Sequence, residues 1–220
     1  MRTVVFDVNE TLLDLAPVRS FFLDAFDGEV TAEAWFSELL RLSFVSSTID
    51  AYRPFTELAG HALSSVTGGT ASPADREVIG NLLRSLPPHT DVTSGLEALA
   101  SLDVTVAALT NSPMATARAQ LDHAGIAHWF DRILSVDMVQ RFKPHRSVYE
   151  AACRELDTSP ADTTIVAAHD WDIAGAMAAG LTGIFVARPG QTWSPAFSEP
   201  NAVVPDIPAA AAWVARELGR

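Results

Sequence analysis

The chain has 220 residues, with 15 Lys and Arg against 27 Asp and Glu and a formal net charge of −12. That balance argues against nucleic acid as a partner, which needs clustered Lys and Arg to meet phosphate, and against an anionic membrane surface. A single Cys rules out an internal disulfide and a Cys-based zinc site, no apolar run approaches the roughly 20 residues that span a membrane, and the first apolar stretch is too short for a signal peptide, so a cytoplasmic globular chain is the expectation.

The first predicted element is the run Thr3, Val4, Val5, Phe6. It is continuous rather than alternating, the pattern of a strand buried on both faces of a parallel sheet. Asp7 follows it, either at a strand end where open α/β sheets hold ligands or as a helix N-cap. From about Leu15 to Leu86 apolar residues recur at helical spacing, as in Trp35, Leu39 and Leu40 or Ile79, Leu82, Leu83 and Leu86. This predicts about four helices, with residues 67–73 as a loop and Ser72, Pro73 and Asp75 as a helix start.

After Pro87 and Pro88 strands and helices alternate. Helices are predicted over 92–102, 114–123 (closed by Gly125) and 147–156, and strands over 104–109 and 133–136. A further strand at 164–168 runs into a turn at Asp170-Trp171-Asp172 and a small-residue helix to Gly180. Residues 183–186 form another strand, 188–206, with four Pro residues, an irregular loop, and 208–218 a final Ala-rich helix. Alternating strands and helices imply a doubly wound parallel sheet, a Rossmann-like α/β core. The expected organisation is a core of residues 1–14 and 89–220, with a helical cap of residues 15–88 inserted after the first strand. The apolar faces of the cap and of the C-terminal helix leave room for a homodimer.

Four short segments end or follow core strands: Asp7-Val8-Asn9-Glu10-Thr11, Thr110-Asn111-Ser112, Phe142-Lys143-Pro144 and His169-Asp170-Trp171-Asp172. Each is weak alone, since an Asp after a strand is often a cap and a lone Lys is usually a solvated charge. Together they bring a carboxylate, hydroxyls, an amide, an ammonium and a second carboxylate to one sheet edge, a nucleophile with orienting partners. The remaining His residues show no metal spacing, and Cys153 reads as a buried structural thiol.

In this order the segments, DxxxT, then TN, KP and D, resemble the haloacid dehalogenase-like superfamily over nearly the whole chain, cap included. The resemblance implies an Asp7 nucleophile and one of two chemistries. In the Mg-dependent phosphatase branch an acid two residues after the nucleophile protonates the leaving alkoxide. That position is Asn9 here, and the places of the metal-binding Gly-Asp pair are Ala167 and Ala168, with Asp170 displaced. A halide leaves as a stable anion and needs neither acid nor metal, so no cofactor and no metal are expected. Tyr149, six residues after Lys143, and Trp171-Asp172 resemble the type II (S)-2-haloacid dehalogenases, although each aromatic also reads as core packing.

The resemblance implies an in-line attack by Asp7 on the halogen-bearing carbon of a small-molecule substrate, giving an ester that water hydrolyses to a 2-hydroxy acid. Lys143 would hold Asp7 ionised. Thr11 and Thr110 would orient it or bind the substrate carboxylate, Asn111 resembles a halide-side amide, and Asp172 would polarise the water, with His169 beside it. Four positions depart from the pattern: Asn9 replaces an aromatic, Ala167 and His169 replace a Ser and an Asn, and Phe36, after Trp35, replaces the cap Arg that grips halide. Arg41 is the candidate substitute for that Arg, or else a solvated surface residue. A Mg-dependent phosphatase using Asp7, Asn9, Asp172 and Asp170, and a scaffold that only binds a metabolite or partner, are the rival readings.

Overall fold

The computed structural model describes residues 2–26 and 28–219. Six parallel strands form the central sheet: β1 (Arg2–Phe6), β2 (Val104–Thr110), β3 (Arg132–Ser135), β4 (Thr163–Ala167), β5 (Thr182–Val186) and β6 (Ala202–Val204). Their order is β3-β2-β1-β4-β5-β6. Val4, Val5 and Phe6 are all buried, which is why this run is apolar on both faces. The strand order reverses beside β1, between β2 and β4, and an open α/β sheet carries its crevice at such a point. Asp7 stands there, its N–H still donating to Val166 O at 3.0 Å.

Five helices separate β1 from β2 along the chain, and the first four are α1 (Ala16–Ala25), α2 (Ala32–Thr48), α3 (Phe55–Val66) and α4 (Pro73–Arg84). Their starts follow the local chemistry. Thr31 caps α2 by accepting from Ala34 N, and Ser72 and Asp75 close a reciprocal capping box on α4. Trp35, fully buried, donates from its indole to Ala59 O at 3.0 Å and ties α2 to α3. The chain leaves and re-enters the core side by side. Leu13 bridges Pro88, Asp14 N donates to Pro87 O, and His89 N donates to Leu12 O.

Helices α5 (Val92–Ala100), α6 (Met114–His123), α7 (Arg146–Glu155), α8 (Asp170–Ala178) and α9 (Ile207–Glu217) flank the sheet. Two expectations need correction. Residues 188–206 are not wholly irregular, because β6 pairs with β5 there, pinned by Asn201 N to Gly183 O and Gly183 N to Asn201 Oδ1. Three residues between Pro200 and Pro205 are too few to show a period, so tertiary pairing alone makes the strand. Asp170, Trp171 and Asp172 are the first turn of α8 rather than a turn before it, which suits carboxylates at a helix N-terminus. Among the described residues no helix is long and apolar enough to cross a membrane.

Helix α8 lies close on the segment that carries Lys143. A Cβ added at Gly175 would meet Pro144 Cβ at 2.4 Å and Pro144 O at 2.8 Å. The Gly175→Ala variant therefore unfolds at lower urea concentration than the parent. The overpacking cost of about 1–3 kcal/mol outweighs the gain of roughly 1 kcal/mol that alanine brings to a helix interior.

Candidate active site

Asp7 extends from the tip of β1, and neighbouring strand ends converge on it. Lys143 Nζ donates to Asp7 Oδ1 at 2.7 Å, to Asp172 Oδ2 at 2.6 Å and to Leu109 O, at the end of β2, at 2.9 Å. All three ammonium protons are thereby used. Thr11 Oγ1 donates to Asp7 Oδ2 at 2.7 Å and accepts from Ala168 N at 2.9 Å, so it joins the ends of β1 and β4. Tyr149, from α7, donates to Asp172 Oδ1 at 2.6 Å.

His169 caps α8 and meets carboxylates at both ring nitrogens: Asp7 Oδ2 lies 3.0 Å from Nδ1 and Glu10 Oε2 2.9 Å from Nε2. A neutral imidazole has one donor and one lone pair and would turn that lone pair on one carboxylate, so the imidazolium fits both. Arg19 Nη2 then donates to Glu10 Oε1 at 2.9 Å. The run Asp172, Lys143, Asp7, His169, Glu10, Arg19 alternates in charge throughout.

The electrostatics follow from burial and these neighbours. Burial pushes the Asp7 carboxyl up, but Lys143 and His169 override it and hold Asp7 well below the usual carboxylate range. Burial pushes His169 down, and its hydrogen bonds to Asp7 and Glu10 win, raising it to about 10. Burial opposes charge on Lys143, yet Asp172 and Asp7 keep its pKa raised. Asp172 is raised, by burial first.

A cavity of about 250 Å³ opens between α2 and the start of α8, lined by Glu10, Arg19, Phe36, Leu40, His169 and Trp171 among others. Its walls hold the His169 ring between two aromatics, Phe36 at 5.9 Å and Trp171 at 5.0 Å, both close to parallel with it. Asp7 lies one contact deeper, against His169.

The sequence-predicted residues divide into two groups. Asp7, Lys143, Asp172, Thr11, Tyr149, His169 and Trp171 come together. Asn9 is turned away, its amide oxygen taken by Gln120 at 3.0 Å and its nitrogen near Ser112. Thr110 accepts from Ser112 N and does not reach Asp7, and Asn111 accepts from Lys143 N at 3.0 Å, bracing the lysine's backbone. Arg41 is not at the site. It lies five residues beyond Phe36 on α2, about 140° round the helix axis, and its exposed side chain pairs with Glu38 at 2.6 Å. Phe36 occupies the wall instead. Two residues went unread: Glu10, inside the first motif, and Arg19, whose place on the cavity wall only the docking of α1 decides.

The donor set does not fit Mg²⁺. An ammonium already bridges the two carboxylates that would hold it, Ala167 and Ala168 offer no oxygen side chain, and Asp170 Oδ1 is occupied by Trp171 N. Among the described residues no group of three or more His, Cys, Asp and Glu is placed to hold a metal ion.

Comparison with known proteins identifies the family and the fold. The family model of the haloacid dehalogenase-like hydrolases matches residues 1–180. An (S)-2-haloacid dehalogenase of Xanthobacter autotrophicus is 28% identical over 196 residues, spanning 87% of this chain and 77% of its own. The (S)-2-haloacid dehalogenase 2 of Pseudomonas sp. (strain CBS-3) is 28% identical over 209 residues, covering 93% and 91%. The crystal structure of the L-2-haloacid dehalogenase from Xanthobacter autotrophicus superposes with a TM-score of 0.89 at 24% identity over 98% of both chains. That enzyme has also been solved with chloropropionic acid covalently bound.

Two outcomes follow from the buried charges. Lys143→Met leaves the buried Asp172 without a counter-charge and Asp7 with His169 alone, so equilibrium denaturation shows a loss of about 3–5 kcal/mol. His169 binds its proton more tightly folded than unfolded, so its stabilisation is complete below its usual 6.5 and is lost as pH rises through about 10. Stability measured from pH 6.5 to 10 therefore falls in the parent and falls less in His169→Phe.

Proposed function

The chain belongs to the haloacid dehalogenase-like hydrolases, and from that premise we propose that it displaces halide from a 2-haloalkanoic acid to give a 2-hydroxy acid, as an (S)-2-haloacid dehalogenase does. The observation that carries this reading is Asp7, kept ionised by the Lys143 ammonium at 2.7 Å in a site where position 9 supplies no acid. An ionised carboxylate is a competent nucleophile toward carbon, and a halide departs as an anion without protonation. Phosphomonoester hydrolysis would need a metal and an acid, and the donor set supports neither.

In this reading an Asp7 oxygen attacks the halogen-bearing carbon in line, halide leaves, and an ester forms on Asp7. Water then adds to the ester carbonyl. Lys143, Asp172, Thr11 and Tyr149 form the framework that holds the carboxylate, and the residues 15–88 act as the cap over it. Phe36, Leu40 and Trp171 give the cavity an apolar side that suits a halocarbon and keeps bulk water away. Arg19 on the same wall suits the substrate's carboxylate. A cytoplasmic location is part of the reading, supported by a single buried Cys. A homodimer is also part of it, supported by the exposed apolar residues Leu23, Val45, Ile49 and Val78 on the cap helices.

Ion chromatography of halide released from a panel of 2-halo acids, fluoroacetate included, tests the proposal, with p-nitrophenyl phosphate as the counter-substrate. Halide release that persists in EDTA and is lost in Asp7→Asn supports it. Phosphate release that depends on Mg²⁺, with no halide from any acid, sinks it.

A further inference from the structure

The two oxygens of Asp7 are not equivalent. Oδ2 accepts from Thr11 at 2.7 Å and from His169 at 3.0 Å, whereas among the described residues Oδ1 accepts from Lys143 alone. A carboxylate oxygen has two in-plane lone pairs. Both are taken on Oδ2, so the lone pair left for attack on carbon is on Oδ1. Oδ2 then becomes the carbonyl oxygen of the ester. When water adds to that carbonyl, the negative charge develops on Oδ2, already 2.7 and 3.0 Å from two donors. Those are the distances at which oxyanion-stabilising donors work.

A second observation concerns Glu10. Its φ is +61°, a left-handed conformation that a residue with a Cβ rarely adopts. The strain places its carboxylate 2.9 Å from His169 Nε2, and Arg19 holds its other oxygen. With Nε2 bound to a carboxylate, Nδ1 is left to donate to Asp7. Phe36 and Trp171 fix the plane of the ring.

We infer that Glu10 and His169 form a dyad for the second half-reaction: His169 Nδ1–H and Thr11 Oγ–H make the oxyanion hole for hydrolysis of the Asp7 ester, and Glu10 is the positioning residue that keeps His169 a donor. The inference rests on the dehalogenase reading above. Atoms and charge balance within the residues present. Water oxygen bonds to Asp7 Cγ, one water proton passes to the Asp172 carboxylate, and the carbonyl electron pair moves onto Oδ2. The pair then returns, the Cγ–Oδ1 bond breaks, and the departing alkoxide takes a proton from Lys143, which lies 2.7 Å from Oδ1. Asp172 returns its proton to Lys143 across 2.6 Å, and Asp7, now a carboxylic acid, releases its proton to water.

The test separates the two half-reactions with 2-chloropropionate as probe. A rapid-quench chloride burst reports ester formation, and intact-protein mass spectrometry reports ester bound to Asp7. His169→Phe keeps a ring between Phe36 and Trp171 but removes the donor. Its ester hydrolysis should fall about 10²–10³-fold while the chloride burst persists, so the protein accumulates as the ester. Glu10→Gly suits the left-handed backbone and removes the carboxylate, and it should shift the balance the same way. His169→Asn restores an N–H donor and should recover at least about ten-fold of the loss, on the scale of a single donor. The inference is overturned if burst and hydrolysis fall together in His169→Phe and Glu10→Gly, or if neither variant accumulates ester. If the parent yields no chloride and no adduct, the dehalogenase reading itself falls, and the inference with it.

Discussion

The site hangs on one buried ammonium. Lys143 has almost no solvent exposure, and its three protons go to Asp7, Asp172 and the Leu109 carbonyl of β2. Removing a cation from water costs several kcal/mol, and only close, well-aligned partners return it. Those partners come from three places in the chain, the tip of β1, the end of β2 and the start of α8, while Lys143 itself stands in a fourth, beside Phe142. The arrangement therefore holds only when sheet, helix and loop are in register together. It also sets the state of Asp7, since a carboxylate 2.7 Å from an ammonium stays ionised where burial alone would protonate it.

On the opposite side of Asp7 a second set of charges continues the alternation through His169, Glu10 and Arg19. This half of the site faces the cavity, while the Lys143 ammonium lies buried behind Asp7. The division gives Asp7 a buried cation on Oδ1 that governs its ionisation and, on the cavity side, two donors that hold Oδ2. Phe36 and Trp171 clamp His169, so its donors are aimed before any ligand arrives, which is what preorganised electrostatic stabilisation requires.

Position 36 shows how chemistry can be redistributed on a common scaffold. An arginine there would reach into the cavity from α2, but this chain presents a phenylalanine ring that packs on His169. Positive charge on the wall comes instead from Arg19 on α1 and from His169 itself. Both are tied to Glu10, so the cavity is less a bare cationic pocket than a neutralised pair with donors exposed.

Much of this was legible in the residue order. The continuous apolar run before Asp7, the helical spacing through the following seventy-odd positions and the strand–helix alternation after Pro88 each bury a face with its own period, and burial drives folding locally. The motif order likewise placed Asp7, Thr11, Lys143, His169 and Asp172 at one sheet edge, where the structure brings them together, with Tyr149, read from the resemblance, against Asp172. What the order of residues could not decide was direction and partnership. Asn9 sits one residue from Glu10, yet one side chain turns to Gln120 in the core and the other to His169 at the site. Arg41 was the cap arginine read for the site and Arg19 went unread, yet the docking of α1 and α2 put Arg19 on the cavity wall and Arg41 in solvent. β6 exists only because β5 offers it an edge. Periodicity and strand-end chemistry are properties of neighbours along the chain, whereas a side chain's partner is chosen by distance in space, and only the packed tertiary structure supplies that distance.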